Sequence, residues 1–509
     1  MDGLSFDIRI SADDKPLVSI RDFTLAQNQI TLLLGESGIG KSLISRGVYG
    51  LLDPAELTVS VNNLPYPEYL LSQRVRGIQR AGFFVFQEPS SHLNPLMTLG
   101  DQLREGALAG ASPGREVLRA LWEGSAGQDL DSILSVYPKP YRPSGGEKQR
   151  ILLGMALEKI DMLPPAKRAG PDELFVFDEP SGSLDNHYRD LFLTLLFDRF
   201  RRRPFTGLVI THDYSMISRI ASSHSDLLDR VVFRELARCH GTLQVSDFQP
   251  GTYTGWVKSL LPLGALSRAS RGQEPLLTIA PDVEVFGRRL VIAKDPEGKV
   301  PTRLEVYPGS MVYVKAPSGT GKTTLVKRVM GLIHEGSIEA KLKNLQLTGA
   351  TPRKFWQDRI WGKRMTMVFQ HADEALNMQS TMRETLLGLP LRKPLDTDGI
   401  ARLVGDLFDT AEAGEVLGKR VRFLSGGQKQ RLNLLRSLAL DTDVLILDEP
   451  LNGLDFDSAT RVIAILDRKM KAGMGLLVIS HNEEIFDALA GDTHTYYLHI
   501  RRDSDRPSY

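Results

Sequence analysis

Short runs of apolar residues recur along the chain, and each run is closed by polar or loop-forming residues. In the first half, four such runs predict short buried strands, at residues 30–34, 83–86, 174–177 and 208–210. Alternation of apolar and polar positions over residues 4–10 and 17–25 predicts a hairpin that leads into the first of these strands. A strong helical pattern covers residues 148–159.

The motifs that close these strands occur twice, in the same order. Residues of the same motif in the two halves are 281–283 apart for the lysine, glutamine and serine motifs, and 269–270 apart for the aspartate and histidine motifs. A duplication explains the near-constant offset, and an insertion of about 11 residues in the first copy explains the step. Residues 159–173, rich in Pro and Gly, hold this insertion as a surface loop.

Two glycine-rich loops fit the pattern that cradles phosphates, although Ala316 stands in place of the first glycine of the second loop. Glycines let the main chain wrap closely around phosphates, and the following helix adds its positive N-terminal end. The lysine of such a loop reaches the β- and γ-phosphates, and the next hydroxyl binds Mg²⁺, so the sequence predicts a nucleoside triphosphate and Mg²⁺ as ligands. The loops consist of Gly35, Glu36, Ser37, Gly38, Ile39, Gly40, Lys41 and Ser42, and of Ala316, Pro317, Ser318, Gly319, Thr320, Gly321, Lys322 and Thr323.

Composition narrows the class of protein. A length of 509 residues is too long for one core and predicts three or four structural units. Basic and acidic residues nearly balance, 63 against 62, so the overall charge gives no argument for nucleic acid or an anionic membrane. A single cysteine, Cys239, excludes an internal disulfide framework and any all-cysteine metal site within one chain. No apolar stretch approaches the length of a membrane span, so a membrane role requires a partner.

This set of motifs resembles the ATP-binding cassette (ABC) ATPases over nearly the whole chain. The resemblance implies an α/β fold with two tandem P-loop NTPase domains, each with a mostly parallel core sheet, an antiparallel β subdomain and a helical subdomain. The expected nucleotide-binding domains are residues 1–240 and 276–509, with a tail and linker at 241–275. In this family two cassettes close head to tail, so each nucleotide lies between the phosphate loop of one cassette and the signature of the other.

The resemblance also assigns roles to the strand-end residues. Hydrolysis needs a metal on the phosphates, a positioned water, and donors on the departing γ-phosphoryl group. The Mg²⁺ ligands are expected to be Ser42, Thr323, Asp178 and Asp448, with Gln87 and Gln370 contacting Mg²⁺ or the attacking water. The residues that activate or orient this water and contact the γ-phosphate are expected to be Glu179, Glu449, His212 and His481. The signatures that close the sites are expected to be Ser144, Gly145 and Gly146, and Ser425, Gly426, Gly427 and Gln428. Asp185 and Asp455 resemble the inter-domain loops of the family.

The first copy and the second copy depart from the family pattern at different places. The first signature has Pro143 and Glu147 where the family prefers leucine and glutamine. The family places an adenine-stacking aromatic about 25 residues before each loop, and we find none near residues 10–15, while Phe286 is somewhat far upstream of the second loop. We therefore expect two unequal sites, with the weaker one built from the second loop and the first signature.

Two classes of cassette protein remain for a chain without a membrane span. Residues 87–103 and 248–262 resemble two stretches of the peptide and nickel importer subfamily, although Gly251 stands where histidine is usual. The alternative is a soluble cassette ATPase that acts on ribosomes or nucleic acid. The long charged linker, coiled coil, zinc modules and iron–sulfur domain of those proteins are absent from the sequence.

We therefore predict the ATPase subunit of a peptide- or nickel-type importer. The resemblance implies two integral-membrane permeases and an extracytoplasmic solute-binding protein as partners, and a peripheral location at the cytoplasmic face of the inner membrane. The transported solute leaves no mark in the sequence, because it does not touch this subunit.

Overall fold

A computed structural model shows two compact units, unit 1 (Met1–Pro250) and unit 2 (Gly251–Tyr509). The structure describes residues 3–13, 15–106, 114–122, 130, 145–163, 173–182, 186–239, 242–266, 273–317, 319–391 and 393–501. Within these residues, no helix has the length and apolar character needed to cross a lipid bilayer.

Unit 1 contains ten strands and eight helices in its described part. Its strands are β1 Gly3–Ala12, β2 Lys15–Ala26, β3 Ile30–Leu34, β4 Thr58–Val61, β5 Leu64–Pro65, β6 Phe83–Val85, β7 Phe175–Asp178, β8 Gly207–Ile210, β9 Val231–Cys239 and β10 Thr242–Asp247. Its helices are α1 Lys41–Tyr49, α2 Tyr66–Leu71, α3 Gln73–Ala81, α4 Leu99–Gly106, α5 Gly114–Trp122, α6 Gly145–Asp161, α7 Asn186–Arg202 and α8 Ser215–Ser223.

The strands of unit 1 form two sheets. The larger sheet has the order β10-β9-β3-β8-β7-β6, and only its edge pair β9–β10 is antiparallel. The smaller sheet, β2-β1-β4-β5, is antiparallel throughout, and its β1–β2 pair is the hairpin predicted from the alternating pattern. Because β3, β7 and β8 are buried on both faces, they have the continuous apolar sequences that predicted them.

Unit 2 repeats this architecture. Its strands are β11 Leu277–Ile279, β12 Asp282–Val285, β13 Arg288–Ala293, β14 Leu304–Val306, β15 Met311–Lys315, β16 Glu339–Leu342, β17 Leu345–Thr348, β18 Met365–Val368, β19 Val444–Asp448, β20 Gly475–Ile479 and β21 Thr495–Arg501. Its helices are α9 Pro250–Leu266, which begins at the boundary between the units, and α10 Lys322–Val329, α11 Arg353–Phe355, α12 Met382–Leu387, α13 Thr397–Gly405, α14 Thr410–Val416, α15 Gly426–Leu438, α16 Phe456–Lys471 and α17 Glu483–Ala490.

The sheets of unit 2 differ from those of unit 1 at one edge. The larger sheet has the order β12-β13-β21-β15-β20-β19-β18, in which the hairpin β12–β13 joins a parallel core through β21. The smaller antiparallel sheet is β14-β11-β16-β17. The predicted α/β fold with two tandem P-loop domains is confirmed.

Each core packs the helix after the phosphate loop together with both sheets. In unit 1 one buried cluster includes Phe6 of the small sheet, Ile44 of α1 and Val176 of the parallel sheet. In unit 2 the corresponding cluster includes Leu277, Leu325 and Ile446. Burial of these apolar faces places the loops at the carboxyl edge of each parallel sheet, where sites of open α/β folds are found.

The predicted tail and linker, residues 241–275, contains regular structure. Strand β10 pairs with β9 and so extends the large sheet of unit 1, and α9 follows within a few residues. The compact units divide after Pro250, while the domain boundaries predicted at residues 240 and 275 stay predictions.

Candidate active site

The first phosphate loop has the backbone that its glycines make possible. Gly35 has a φ of 141°, and a Cβ at this position would lie only 2.4 Å from the backbone oxygen of Leu236. The loop ends at the N-terminus of α1, where Gly40 is the N-cap and supplies no side-chain hydrogen bond. Lys41 is buried and donates to the backbone oxygens of Gly35, at 2.5 Å, and Glu36, at 2.9 Å. The ammonium group therefore lies within the loop that would surround the phosphates.

The second loop begins with a different backbone conformation. Ala316 is not among the residues with positive φ, so its Cβ is accommodated where Gly35 would not accept one. Lys322 again donates to the first backbone oxygen of its loop, that of Ala316, at 2.6 Å, and it precedes the hydroxyl of Thr323 at the start of α10. Ser318 lies outside the described residues. The missing glycine thus leaves the lysine in the same place.

Each loop is joined to a strand-end aspartate by one hydrogen bond. The hydroxyl of Ser42 donates to Oδ1 of Asp178 at 2.9 Å, and that of Thr323 donates to Oδ1 of Asp448 at 3.2 Å. Both aspartates are buried, and neither Oδ2 atom has a hydrogen-bond partner within the described structure. Burial raises the pKa of each aspartate to about 6.

These residues fit a magnesium ion that shares its coordination with phosphate. The described residues contain no cluster of three or more His, Cys, Asp or Glu side chains that could hold a metal alone. Mg²⁺ is commonly bound by one or two protein oxygens together with substrate phosphates and water. A hydroxyl beside a buried carboxylate with a free oxygen supplies such a partial set in both units.

The two predicted glutamines follow strands of the parallel sheets, and among the described residues neither forms a hydrogen bond with the aspartates. Gln87 follows β6 and is exposed, and Gln370 follows β18 and is half-buried. Within the described residues, neither glutamine side chain donates or accepts a hydrogen bond. Their expected contact with Mg²⁺ or water stays a prediction.

In unit 1 the predicted water-activating glutamate is paired with the predicted phosphate-contacting histidine. Glu179 is buried, and its Oε1 lies 2.9 Å from Nδ1 of His212 and 3.9 Å from Nζ of Lys41. Burial opposes the charge of Glu179, but the charge and hydrogen bond of His212 and the charge of Lys41 outweigh it and lower its pKa. Burial likewise opposes the charge of His212, and Glu179 outweighs it and raises its pKa. Each group therefore favours the charged form of the other.

In unit 2 the equivalent glutamate has different partners. Oε2 of Glu449 accepts hydrogen bonds from the hydroxyl of Ser480, at 2.8 Å, and from the backbone N–H of His481, at 3.0 Å. Nε2 of His481 lies 3.6 Å from Oε1 of Glu449. Burial raises the pKa of Glu449 to about 7, against these two hydrogen bonds. The two Asp-Glu-Pro motifs are identical in sequence, yet the pKa of Glu179 is lowered and that of Glu449 is raised.

The second signature is held by its own side chains. Ser425 caps α15 by accepting from the N–H of Gln428, whose side chain accepts from the N–H of Ser425. The amide of Gln428 also donates to Glu412, which forms a bidentate ion pair with Arg431. Gly426 and Gly427 form the first turn of this helix.

Part of the first signature lies beyond what the structure describes. Gly145 and Gly146 begin α6, and Glu147 in its first turn is buried. Ser144, Pro143 and the loop residue Asp185 lie outside the described residues. The expected closing of each site by the opposite signature stays a prediction.

Phe286 lies farther upstream of the second phosphate loop than the family pattern expects, and the structure shows what the intervening residues form. This ring is 56% exposed, with a φ of 49°, in the turn between β12 and β13. Leu290 of β13 packs beside the phosphate loop, since a Cβ on Gly321 would lie 3.6 Å from it. A loop at residues 294–303 separates β13 from β14 and lengthens the chain between the aromatic and the phosphate loop. In unit 1, Asp13, with a φ of 46°, occupies the β1–β2 turn, and β2 places Val18 beside Gly40.

A phosphate loop, a hydroxyl–aspartate pair and an adjoining buried glutamate, all at the carboxyl edge of a parallel sheet, define a nucleoside triphosphate hydrolase. The ABC transporter family profile matches residues 19–163 and 301–452, more than half of the chain. The protein therefore belongs to the ABC transporter family, and it is an ATP-binding ATP hydrolase with two cassettes.

Curated relatives match over nearly the whole of this chain. The glutathione import ATP-binding protein GsiA of Escherichia coli (strain K12) is 25% identical over 551 residues, which cover 97% of this chain and 84% of that protein. The peptidoglycan transport ATP-binding protein YejF of Agrobacterium fabrum (strain C58 / ATCC 33970) is 27% identical, over 94% of this chain and 90% of that protein.

Solved structures match the fold at lower identity. The archaeal ribosome recycling factor aABCE1, in its complex with the stalk protein aP1, has a TM-score of 0.58 and 18% identity over 94% of this chain and 86% of that one. At this identity the likeness shows the fold alone.

Changing both phosphate-loop lysines to alanine should remove nucleotide binding. Each lysine is the positive charge within its loop, and losing a hydrogen bond to a charged group costs about 1.5–3 kcal/mol, or at least about tenfold in affinity. We expect Lys41→Ala combined with Lys322→Ala to weaken binding of a fluorescent ATP analogue by at least about tenfold in an equilibrium titration. Lys343→Ala, which removes a surface lysine paired with Asp443, is the control. Undiminished binding by the double variant would exclude these loops as the nucleotide sites.

The two glutamates should have opposite effects on stability. The folded-state pKa of Glu449, about 7, exceeds its ordinary value of 4.5, so folding is favoured at acid pH and this advantage is lost as the pH rises from about 4.5 to 7. Glu449→Gln should therefore raise the thermal denaturation midpoint at pH 8 and change it little at pH 5. The expected gain at pH 8 is on the order of 1–3 kcal/mol.

The matched variant is Glu179→Gln, measured by the same method without nucleotide or Mg²⁺. The lowered pKa of Glu179 and the raised pKa of His212 stabilise the fold together at pH 6, where both groups are charged. Glu179→Gln should lower the midpoint there. An unchanged or raised midpoint for Glu179→Gln at pH 6, or a lowered midpoint for Glu449→Gln at pH 8, would contradict the assigned environments.

Proposed function

We propose that this chain is the ATP-hydrolysing subunit of an importer of the peptide type, and that it couples hydrolysis to solute uptake through separate membrane permeases. The observation that carries the proposal is that one chain holds two sets of phosphate loop, hydroxyl–aspartate pair and glutamate. Relatives whose names describe import or transport match nearly the whole of this chain, which supports it. Two stretches that resemble the peptide and nickel importer subfamily, residues 87–103 and 248–262, support the same proposal. Nickel chelates remain an alternative cargo.

In the first site Glu179 orients and deprotonates the attacking water. Its carboxylate is ionised near neutral pH, and Oε2 has no hydrogen-bond partner within the described structure, so this atom is available to a water molecule. Glu179 raises the pKa of His212, and the protonated imidazole supplies a positive charge towards the developing negative charge of the γ-phosphoryl group. Lys41 compensates charge on the β- and γ-phosphates.

In the second site Glu449 has the same task but is partly protonated near neutral pH. A general base must be ionised to accept a proton, so activity at this site rises as the pH passes through about 7. Mg²⁺, when bound at the hydroxyl–aspartate pairs, neutralises phosphate charge at both sites. Phe286 offers a face for the adenine ring at the second site, and the turn at Asp13 offers none at the first.

The permeases and an extracytoplasmic binding protein are the partners, which places the chain at the cytoplasmic face of the inner membrane. The loop after Gln87 receives one permease, and the equivalent loop at residues 375–378 receives the other. Leu96, in the first of these loops, is 89% exposed. An apolar side chain this exposed gains contact area when a partner covers it.

Capture of membrane partners separates the importer from the ribosome-acting alternative. We expect the tagged chain, solubilised from membranes with mild detergent, to co-purify with two integral-membrane proteins. Leu96→Asp should reduce their yield at least about threefold, because a charge placed in an apolar contact is costly, and leave the basal ATPase rate unchanged.

The control is Leu71→Asp, at a leucine of α2 that is 69% exposed and outside the loop. It should co-purify with the permeases like the unchanged chain. Co-sedimentation with ribosomes in ATP, with no membrane protein bound, would instead support the soluble alternative.

The two sites should contribute unequally to turnover. At pH 7 Glu179 is ionised and Glu449 is partly neutral, and the departures in the first signature weaken the same second site if the cassettes close head to tail. Glu179→Gln should therefore lower steady-state ATP hydrolysis more than Glu449→Gln at pH 7. Removal of one transition-state group costs about 10²–10³-fold, so each variant should leave mainly the activity of the other site.

The pH profile gives the internal control. Activity left in Glu179→Gln should increase several-fold between pH 6.5 and 8.5, and activity left in Glu449→Gln should change less. Equal losses at pH 7, or a larger loss from Glu449→Gln, would refute the assigned order.

A further inference from the structure

One segment between the two sites has no role in the function proposed above. The connector segment, Phe248 to Val257, joins β10 to the body of α9 and includes part of the stretch that resembles the importer subfamily. Its apolar residues Phe248, Tyr253 and Val257 are buried, while Gly251 and Gly255 face open space. A buried aromatic set on a connecting segment indicates a specific packing role.

In unit 2 the connector segment packs against the start of α16. The ring of Trp256 meets that of Phe456 edge to face, with centroids 5.3 Å apart, and Tyr253 meets Phe456 at 6.2 Å. Tyr253 is 1% exposed, and its hydroxyl donates to Oε2 of Glu484 at 3.3 Å. Tyr253 therefore contacts two different helices of the unit, α16 and α17.

Both of these helices begin just after residues of the second site. Phe456 is the first residue of α16, whose cap Asp455 accepts from the N–H of Ser458. The loop before it is a tight one, in which the N–H of Asn452 donates to the backbone oxygen of Glu449 at 3.2 Å. Glu484 lies three residues after His481, whose own N–H holds the Glu449 carboxylate. Contacts that hold the starts of α16 and α17 in place therefore also limit the movement of the loops that carry Glu449 and His481.

In unit 1 the same segment contacts the loop after the first-site histidine. Phe248 packs on Tyr214, with ring centroids 5.6 Å apart, and Tyr214 donates to Oε1 of Glu235 at 2.5 Å. Tyr214 follows His212 by two residues and leads into α8. Four residues of continuous chain separate Phe248 from Tyr253.

We propose that the connector segment positions the hydrolysis loops of both units: Tyr253 and Trp256 position Glu449 and His481, and Phe248 positions His212. The proposal rests on the proposed function only in taking those residues as the hydrolytic groups. The three aromatic residues contact elements that flank the hydrolysis loops, so we expect them to act on turnover through these loops. Changes at these residues should lower the rate of hydrolysis and leave the nucleotide affinity unchanged.

The test is a set of crossed variants in the full-length chain. In the Glu179→Gln background, where the second site supplies most of the remaining turnover, Trp256→Ala and Tyr253→Ala should each lower kcat by about three- to tenfold, since small misplacement of a reacting group costs rate steeply. Neither variant should change the Kd for a fluorescent ATP analogue. Tyr253→Phe keeps the ring and should keep most of the activity. Combined with Glu449→Gln, the Trp256 and Tyr253 variants should cause no further loss.

Phe248→Ala should show the reverse pattern. Its effect should persist with Glu449→Gln and disappear with Glu179→Gln, because it acts through His212 alone. Lys258→Ala, at an exposed position of α9, is the matched control and should change neither kcat nor Kd. Trp256→Leu, which keeps an apolar side chain at a half-buried position, replaces Tyr253→Ala if that variant does not fold.

The outcomes separate the two proposals. If the unchanged chain hydrolyses ATP and the aromatic variants behave like Lys258→Ala, or lose activity equally in both glutamate backgrounds, the positioning role is refuted and the ATPase function stands. If the unchanged chain hydrolyses no ATP, the proposed function fails first.

Discussion

One hydrogen bond organises each candidate site. It joins the hydroxyl that follows the phosphate-loop lysine to an aspartate at the end of a strand. In unit 1 it joins the start of α1, which follows β3, to the end of β7, and β8 lies between these strands and leads to the histidine. In unit 2 the same bond joins the start of α10 to the end of β19, with β20 between. Three parallel strands end at one edge of each sheet. The phosphate-loop lysine, the strand-end carboxylates and the histidine therefore lie close together there. The sheet order, more than any single side chain, makes the chemistry possible.

The two sites hold their glutamates differently, and the residue before each histidine differs by one methyl group, threonine in unit 1 and serine in unit 2. Thr211 precedes the first histidine, and its hydroxyl accepts from the N–H of Asp213. Ser480, its counterpart, accepts from Asn482 and also donates to Glu449. A hydrogen bond of this kind contributes about 1 kcal/mol, which is enough to select one orientation of a buried carboxylate over another. Duplicated motifs can therefore differ in charge state while keeping every residue that the motif names.

Much of the fold was predictable from the sequence because buried parallel strands have continuous apolar sequences and the phosphate loops have few alternatives. The lysines, hydroxyls and aspartates lie where the motifs place them. The partners of Glu179 and Glu449 were not predictable, since they depend on side-chain orientation within identical motifs. The place of Phe286 in the β12–β13 turn was not predictable from motif spacing, because residues 294–303 form a loop that lengthens the chain between this turn and the phosphate loop. The tolerance of Ala316 likewise depends on a backbone angle.

The backbone at both glutamates has a consequence for how these cassettes evolve. Glu179 and Glu449 have φ angles of 48° and 49°, in the left-handed region that disfavours any side chain with a Cβ by about 1–2 kcal/mol. Glycine would relieve this strain at either position and would remove the carboxylate. At Glu449, whose ionised carboxylate is disfavoured by burial, a cassette released from selection for hydrolysis thus has a stabilising path to inactivity open to it in one substitution, whereas at Glu179 glycine would also remove the pair with His212. The strained glutamate of the second copy therefore marks a trade-off between stability and function.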